Sequence, residues 1–133
     1  MKPELSKRNK YYVERYRYYE LKYFCMQYPL WKSYLKDLND SIVTTPKYLI
    51  SEDNVISDPT QKRILVRERY INKIKIVEQA AFDTDPSLYS YILKGVTEGI
   101  SYHILKARFN IPCGRDMYYE RYRKFFWLLD SLA

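Results

Sequence analysis

Apolar residues recur at helical spacings in the first third of the chain. Between residues 4 and 27 they follow one another at intervals of 3, 4 and 7 positions: Leu5, Tyr12, Tyr16, Tyr19, Tyr23 and Met26. This stripe predicts a long N-terminal helix, and Pro29 predicts a break or kink near Tyr28. A second helical piece is expected to follow as far as about Asp40. Residues 1–41 are therefore predicted to form a Tyr-rich helical arm or hairpin.

The periodicity is lost in residues 42–57, which predict a connecting loop. Asp58 followed by Pro59 is a helix start signal, and the helix is expected to run to about Phe82. Its predicted buried stripe comprises Val66, Tyr70, Ile74, Val77 and Ala81. Asp85-Pro86 repeats the start signal for a shorter helix that ends around Gly95–Gly99. One side of that helix carries Leu88, Ile92, Gly95 and Val96.

The last 33 residues, 101–133, predict two helices joined by a tight turn. Ser101 can cap a short helix that contains Ile104, Leu105 and Phe109. A turn follows at residues 110–114, where the apolar Ile111 would hold the two helices together. The final helix is expected to begin near Gly114 or Arg115 and to bury one stripe: Tyr118, Tyr122, Phe125, Leu129 and Leu132.

These elements predict an all-α fold, a small helical bundle with a long N-terminal helix kinked near Pro29. Residues 58–133 would form a helical domain with a helix-turn-helix at 101–132. Composition agrees, because a chain of 133 residues with only 3 Gly lacks the tight turns of a β-sandwich or barrel.

Positive charge is concentrated in the predicted helices. The chain has a net charge of +7 and contains 16 Tyr. Residues 1–41 carry nine Lys and Arg against five acids, residues 59–82 six against two, and residues 101–133 six against three. The connecting stretches are each net acidic. Basic helices joined by acidic connectors favour a polyanionic partner, with nucleic acid first, although a solubilising surface would give the same balance.

The sequence offers little for catalysis or metal binding. Cys25 and Cys113 are far apart and predict neither a disulfide framework nor a metal site, and His103 is the only histidine. The chain has no Gly-rich phosphate loop, nucleophile elbow or paired-carboxylate motif. We therefore expect a protein that is not an enzyme and has no catalytic residues, metal or cofactor. Without a secretory segment or a run of about 18 apolar residues, a cytoplasmic location without a membrane partner is expected.

The helix-turn-helix is the main candidate for function. Its second helix would present polar side chains to the major groove of DNA. Residues on that helix expected to reach the groove or its phosphates are Arg115, Tyr119, Arg123 and Lys124. Lys106 and Arg108 would contact the DNA backbone from the first helix. The alternative is an ordinary helical hairpin with a solvated face.

This region also resembles a known family. The stretches are Gly99-Ile100-Ser101-Tyr102, residues 110–115 (NIPCGR) and residues 118–126 (YYERYRKFF), with Ser57-Asp58-Pro59-Thr60 upstream. They resemble the ArpU/RinA group of late-gene transcriptional regulators, encoded by phages and prophages of Gram-positive bacteria and similar to region four of sigma factors. The resemblance covers about residues 57–130. It implies a DNA-binding regulator of phage genes, with the helix after Gly114 as recognition helix. Asp116 departs from the sigma-like pattern, which usually has an apolar residue there.

The tyrosine stripe of the N-terminal helix has two interpretations. Tyrosines interleaved with Arg and Lys could stack bases of single-stranded nucleic acid. Packing is the favoured interpretation, with Tyr12, Tyr16, Tyr19 and Tyr23 in the core or in a homodimer interface. Trp127, on the polar face of the last helix, would suit a partner contact.

Three functions follow from these patterns. The first is a phage-type regulator bound to double-stranded DNA, as a dimer or beside RNA polymerase. The second is a protein-interaction module that binds or inhibits a host protein. The third is a small subunit of a DNA-packaging machine.

Overall fold

The computed structural model describes residues 7–44 and 59–133, with only the backbone described for residues 41–44. Its six α-helices are α1 (Arg15–Met26), α2 (Tyr28–Thr44), α3 (Pro59–Thr84), α4 (Tyr89–Glu98), α5 (Tyr102–Phe109) and α6 (Arg115–Leu132). A short 3₁₀ turn, Pro86–Leu88, precedes α4. These ranges contain no strand, so the predicted all-α class is confirmed. None of these helices is both long enough and apolar enough to cross a bilayer.

The start of α1 differs from the prediction. A helix was expected over residues 4–27, but residues 7–14 form a turn and irregular chain. The Asn9 side-chain oxygen accepts a hydrogen bond from the Tyr11 backbone N–H at 2.8 Å, which bends the chain locally. The Glu14 carboxylate then accepts from two backbone N–H groups of the first helical turn, at 2.9 and 3.1 Å. It acts as the N-cap, so the helix begins at Arg15.

The predicted bend in the long N-terminal helix is confirmed. Gln27 forms a turn between α1 and α2, and α2 begins at Tyr28. Pro29 therefore lies in the first turn of α2, where its missing N–H breaks no helical hydrogen bond. Residues 42–44 of the predicted loop belong to α2, and residues 45–57 lie outside the described residues.

The prediction that the tyrosine stripe of α1 lies in the core is wrong, whereas its alternative place in a homodimer interface stays a prediction. The buried residues of this helix are Tyr18, Leu21 and Cys25, whereas Tyr16 and Tyr23 are 72% and 61% exposed. Two further members of the stripe, Tyr12 and Tyr19, are half-buried, Met26 is exposed, and Leu5 lies outside the described residues. Tyrosines occur all around α1, so their spacing alone did not identify the face that enters the core. That face carries the aliphatic Leu21, whose burial does not require a hydrogen-bond partner.

The core lies where α3, α4 and α6 meet, with α1 packed on α4 and α6 and α2 packed along α3. The predicted inner face of α4 is confirmed, and that of α3 is confirmed in its second half, whereas Val66 and Tyr70 are half-buried. Ile74, Val77 and Ala81 are buried, and so are all four residues expected on α4, Leu88, Ile92, Gly95 and Val96. On α6 the stripe is buried at Tyr118, Phe125 and Leu129 and half-buried at Tyr122. Its last member, Leu132, is 44% exposed, and Phe126 is buried instead.

Candidate nucleic-acid interface

The first helix of the predicted helix-turn-helix, α5, is capped at both ends. The Ser101 hydroxyl accepts from the Ile104 backbone N–H at 3.4 Å, as expected for an N-cap. At the other end Asn110 adopts a left-handed conformation with φ 54°. The Ile111 backbone N–H then donates to the Leu105 carbonyl at 3.2 Å, a bond typical of helix C-termini. The cap turns the chain sharply out of α5.

The turn between α5 and α6 is held by the core and by two side chains. Ile111 is fully buried, as the sequence predicted. The Tyr102 hydroxyl donates to the Cys113 carbonyl at 2.7 Å, and the Lys106 ammonium donates to the Ile111 carbonyl at 3.4 Å. These contacts satisfy carbonyls that the turn would otherwise leave to water. They fix the position of α6 relative to α5.

The first turn of α6 explains an acidic residue in a basic region. Gly114 precedes the helix in an extended conformation and makes no side-chain capping bond. Asp116 lies in the first turn, where a negative charge is favourable beside the free N–H groups and the positive end of the helix dipole. Its structural role at the helix start is therefore sufficient to account for this residue.

A groove of about 400 Å³ runs between α5 and α6. Three of the predicted DNA-binding residues line it, namely Lys106, Arg115 and Tyr119. Lys106 and Arg115 are exposed, and Tyr119 is half-buried. The Arg115 guanidinium lies 5.6 Å from the centre of the Tyr119 ring, within the range of a cation–π contact. The groove thus presents two positive charges and one aromatic face.

His103 also lines this groove, and the sequence analysis did not place it there. From the sequence, His103 was noted only as the single histidine, in excluding a metal site. The signal was its spacing, because His103 and Lys106 are three residues apart and share one face of a helix. Within the described parts of the chain, no group of three or more His, Cys, Asp or Glu side chains could hold a metal ion.

Three predicted DNA-binding residues lie apart from the groove. Arg108 is exposed, but it follows Lys106 by two positions and so projects about 160° away around α5. Lys124 directly follows Arg123, so their side chains leave α6 about 100° apart. Arg123 is half-buried, and its Nε atom is buried without a hydrogen-bond partner among the described residues. It continues the Arg115–Tyr119 face along α6 but does not line the groove.

The outward face of α6 is of mixed charge. Asp116 and Glu120, one turn apart, are both exposed. Arg121 is held in the fold, because its Nε atom contacts the Asp85 carboxylate at 3.1 Å. The Asp85 carboxylate also accepts from the Ser87 hydroxyl at 2.6 Å. This bond, together with Arg121, lowers the pKa of Asp85 below its usual value. Among the predicted DNA-binding residues, the exposed cations that lie together are therefore Lys106 and Arg115 at the groove.

A second surface lies on α1, on the side away from the core. Tyr16, Tyr19 and Tyr23 follow one another at spacings of three and four and form what we call the α1 tyrosine stripe. The rings of Tyr19 and Tyr23 stack at 6.5 Å with an interplanar angle of 22°. Trp127, predicted as a partner contact, is 41% exposed and packs edge to face on Tyr11 at 5.6 Å. Tyr12 belongs to the irregular chain before α1.

No known protein family matches the chain, and neither the curated proteins nor the solved structures contain a match. The resemblance to the ArpU/RinA regulators therefore stays a prediction. The groove and the α1 tyrosine stripe are the features of the structure that bear on function.

Proposed function

We propose that this protein binds double-stranded DNA through α5, the turn and α6, and that it acts as a gene regulator of the phage type. The observation that carries the proposal is the groove between α5 and α6. Lys106 and Arg115 are exposed along it, on two helices whose relative position is fixed by the buried Ile111. A duplex needs this combination, because phosphates must be met by cations on rigid elements.

The charges around the groove suggest how DNA approaches. Lys106 and Arg115 would each neutralise a phosphate and release counterions. Asp116 would repel phosphates, and Glu120 would do so less because its carboxylate contacts the Arg121 guanidinium at 3.0 Å. The sugar-phosphate backbone is therefore expected on the α5 side. Glu120 would then face the base edges, where a carboxylate can accept a hydrogen bond from the amino group of cytosine.

The test is a fluorescence-anisotropy titration of a labelled duplex of about three helical turns at several salt concentrations between 50 and 200 mM. The variant Lys106→Gln/Arg115→Gln is compared with Lys36→Gln/Lys62→Gln, which removes the same charge from exposed sites on α2 and α3. If each groove cation contacts one phosphate, the first variant lowers the salt slope by about 1.8. If the two proteins bind equally at 1 M salt, where the electrostatic contribution vanishes, this difference in slope makes the variant bind about 60-fold more weakly at 0.1 M salt.

Equal losses in the two variants would refute the proposal, because binding would then follow net charge rather than the groove. Binding that does not change with salt would also refute it. A selection from a random duplex library then tests regulation. An enriched sequence supports a regulator, whereas binding without enrichment supports a non-specific role such as DNA packaging.

The α1 tyrosine stripe favours a second candidate function, a protein-interaction module. Tyr16 and Tyr23 are the most exposed large hydrophobic residues among those described, and they lie on one helix face. Exposed aromatic residues on a rigid helix are typical anchors of protein interfaces. The partner would be a second copy of the chain, RNA polymerase or another host protein.

Sedimentation of the wild type and of Tyr16→Ser/Tyr23→Ser tests this candidate. A dimer of the 16.2 kDa chain that dissociates in the variant assigns the stripe to self-association. A monomer that retains purified RNA polymerase after nuclease treatment, and loses it in the variant, assigns it to that partner. If the variant changes neither result, the stripe is not an interface with either of them.

A further inference from the structure

A second cavity lies behind the groove, enclosed by α1, α4, α6 and the start of α5. Its volume is about 330 Å³, within the range of small-molecule sites. Five phenol rings and one ammonium group dominate its lining: Tyr18, Lys22, Tyr102, Tyr118, Tyr119 and Tyr122. Gly95, in α4, and Gly99, which caps the C-terminus of α4, complete one wall of the cavity. The cavity is formed by elements of the core, so its shape does not depend on a partner.

The lining contains more hydrogen-bond donors than the fold uses. The Tyr18 and Tyr122 hydroxyl oxygens are 2.7 Å apart, and either can be the donor. Only one of the two phenolic hydrogens is used in this bond, so the other remains to donate. Lys22 lies one turn after Tyr18 on the same face of α1 and adds a positive charge.

The Tyr118 hydroxyl is a second observation that points to a ligand. This oxygen is buried and has no hydrogen-bond partner among the described residues. It lies against Gly95, close enough that a Cβ atom at that position would overlap it. Burial of a hydroxyl without a partner is unfavourable, so the fold alone does not explain it. Burial also raises the pKa of Tyr118 and of Tyr122, so both hydroxyls stay protonated at neutral pH.

The chemistry of the lining selects one class of ligand. No carboxylate lines the cavity, which disfavours a cation despite the aromatic walls. The faces and edges of the phenol rings suit a flat aromatic ligand. The Tyr102 and Tyr118 rings already pack on each other in this way, with their centres 5.8 Å apart. We propose that this cavity binds a small aromatic molecule with one acidic group, which Lys22, the Tyr118 hydroxyl and the unused phenolic hydrogen of Tyr18 or Tyr122 would hold. This proposal is independent of DNA binding.

The three glycines of the chain make the test specific. Gly95 and Gly99 line the cavity, whereas Gly114 does not and serves as an internal reference. Their backbone amides are followed by ¹H–¹⁵N NMR during titration with 2-naphthoate to about 5 mM, which covers weak binding. Parallel titrations use 2-naphthyl phosphate, 2-naphthamide and 2-naphthylmethylammonium, which keep the ring and change the charge.

We expect 2-naphthoate to shift the Gly95 and Gly99 resonances and to leave Gly114 unchanged. The amide should bind about fivefold more weakly and the ammonium compound more weakly still, because a partly exposed charge pair contributes about 1 kcal/mol. The relative affinities of the carboxylate and the phosphate identify the preferred acidic group. Lys22→Gln should weaken naphthoate binding about fivefold and leave the amide unaffected. Lys36→Gln, which removes an exposed charge of α2, is the matched control.

Tyr118→Phe separates binding from folding. It should weaken naphthoate binding without lowering the melting temperature of the free protein, because it removes a buried hydroxyl that has no partner. If Gly95 and Gly99 do not shift, or all three glycines shift alike, the cavity holds solvent only and the proposal is wrong. It is equally wrong if naphthoate binds Lys22→Gln as tightly as the wild type.

Discussion

Ile111→Ala tests whether one side chain holds the helix-turn-helix together. Ile111 is fully buried in the turn between α5 and α6. The substitution removes three carbons, and at about 0.8 kcal/mol per buried methylene the transfer cost is about 2.4 kcal/mol. The chain around Ile111 is fixed by the Tyr102–Cys113 hydrogen bond, so it cannot collapse fully onto the space left behind. The residual cavity raises the expected loss of unfolding free energy to about 3–4 kcal/mol.

The assay is urea unfolding followed by circular dichroism, with Ile104→Ala as the matched control. Ile104 belongs to the same helix pair but is only half-buried, so its truncation should cost about 1 kcal/mol. The dependence of the unfolding free energy on urea concentration should stay the same in both variants if unfolding remains two-state. A loss below about 1 kcal/mol for Ile111→Ala would refute the argument that this residue fixes the two helices. An equal loss in both variants would refute it too.

Two further substitutions test other contacts of the fold. Gly95→Ala places a methyl group against the Tyr118 hydroxyl and should cost about 1–3 kcal/mol by overpacking, and adding Tyr118→Phe should recover part of that loss. No recovery would show that backbone, rather than the hydroxyl, limits the space. Asp85→Asn removes a carboxylate whose pKa is lowered by Ser87 and Arg121 in the folded state. Its contribution is therefore complete above the unfolded pKa of about 3.9 and disappears as the pH falls through the lower folded value. The difference in melting temperature between wild type and Asp85→Asn should be present at pH 7 and should disappear as the pH falls below the unfolded pKa and through the lower folded pKa. A difference that persists in acid would contradict this assignment.

The second half of the fold was predictable because its helices carry unambiguous signals. Asp85-Pro86 and Ser101 each precede a helix, and the caps form as the sequence suggests. Gly99 ends α4 in a left-handed conformation with φ 67°, which is favourable for glycine. Each of these helices has one apolar face, so periodicity identified most of the residues that pack inside, although it missed Phe126 and wrongly included Leu132.

The orientation of α1 could not be predicted, because its sequence offers more than one apolar face. Tyrosine counts as hydrophobic in a periodic pattern, yet its hydroxyl makes an exposed position acceptable. Leu21 and Cys25 enter the core together with Tyr18, although the more numerous tyrosines dominate the periodic pattern of this helix. The start of α1 was predicted wrongly for a different reason. Asn9 and Glu14 make local side-chain hydrogen bonds to the backbone that compete with the helix, and a periodic pattern of apolar residues does not report such bonds.

The candidate site was predictable in its elements but only partly in its side chains. Lys106, Arg115 and Tyr119 were assigned to DNA, and the structure brings them to one groove. Arg108 and Lys124 were assigned because they are basic and lie on the two helices of the predicted helix-turn-helix. The direction of each side chain depends on its position around the helix. Arg108 therefore points about 160° away from Lys106, and Lys124 points about 100° away from Arg123. Counting positive charge along a sequence therefore overestimates the number of cations that one ligand can meet.

The tyrosines that enter the core are those that find a hydrogen-bond partner. Tyr18 bonds to Tyr122, and Tyr28 donates to the Glu78 carboxylate at 2.6 Å. A hydroxyl with such a partner keeps a hydrogen bond when it leaves water, so its burial costs little free energy. The burial of the aromatic ring then stabilises the fold without being offset. Tyr118 is the exception, since its buried hydroxyl has no partner among the described residues and its ring lines the cavity. If folding alone had shaped this position, phenylalanine would serve better, and the hydroxyl is therefore the atom at which a ligand requirement should first be sought.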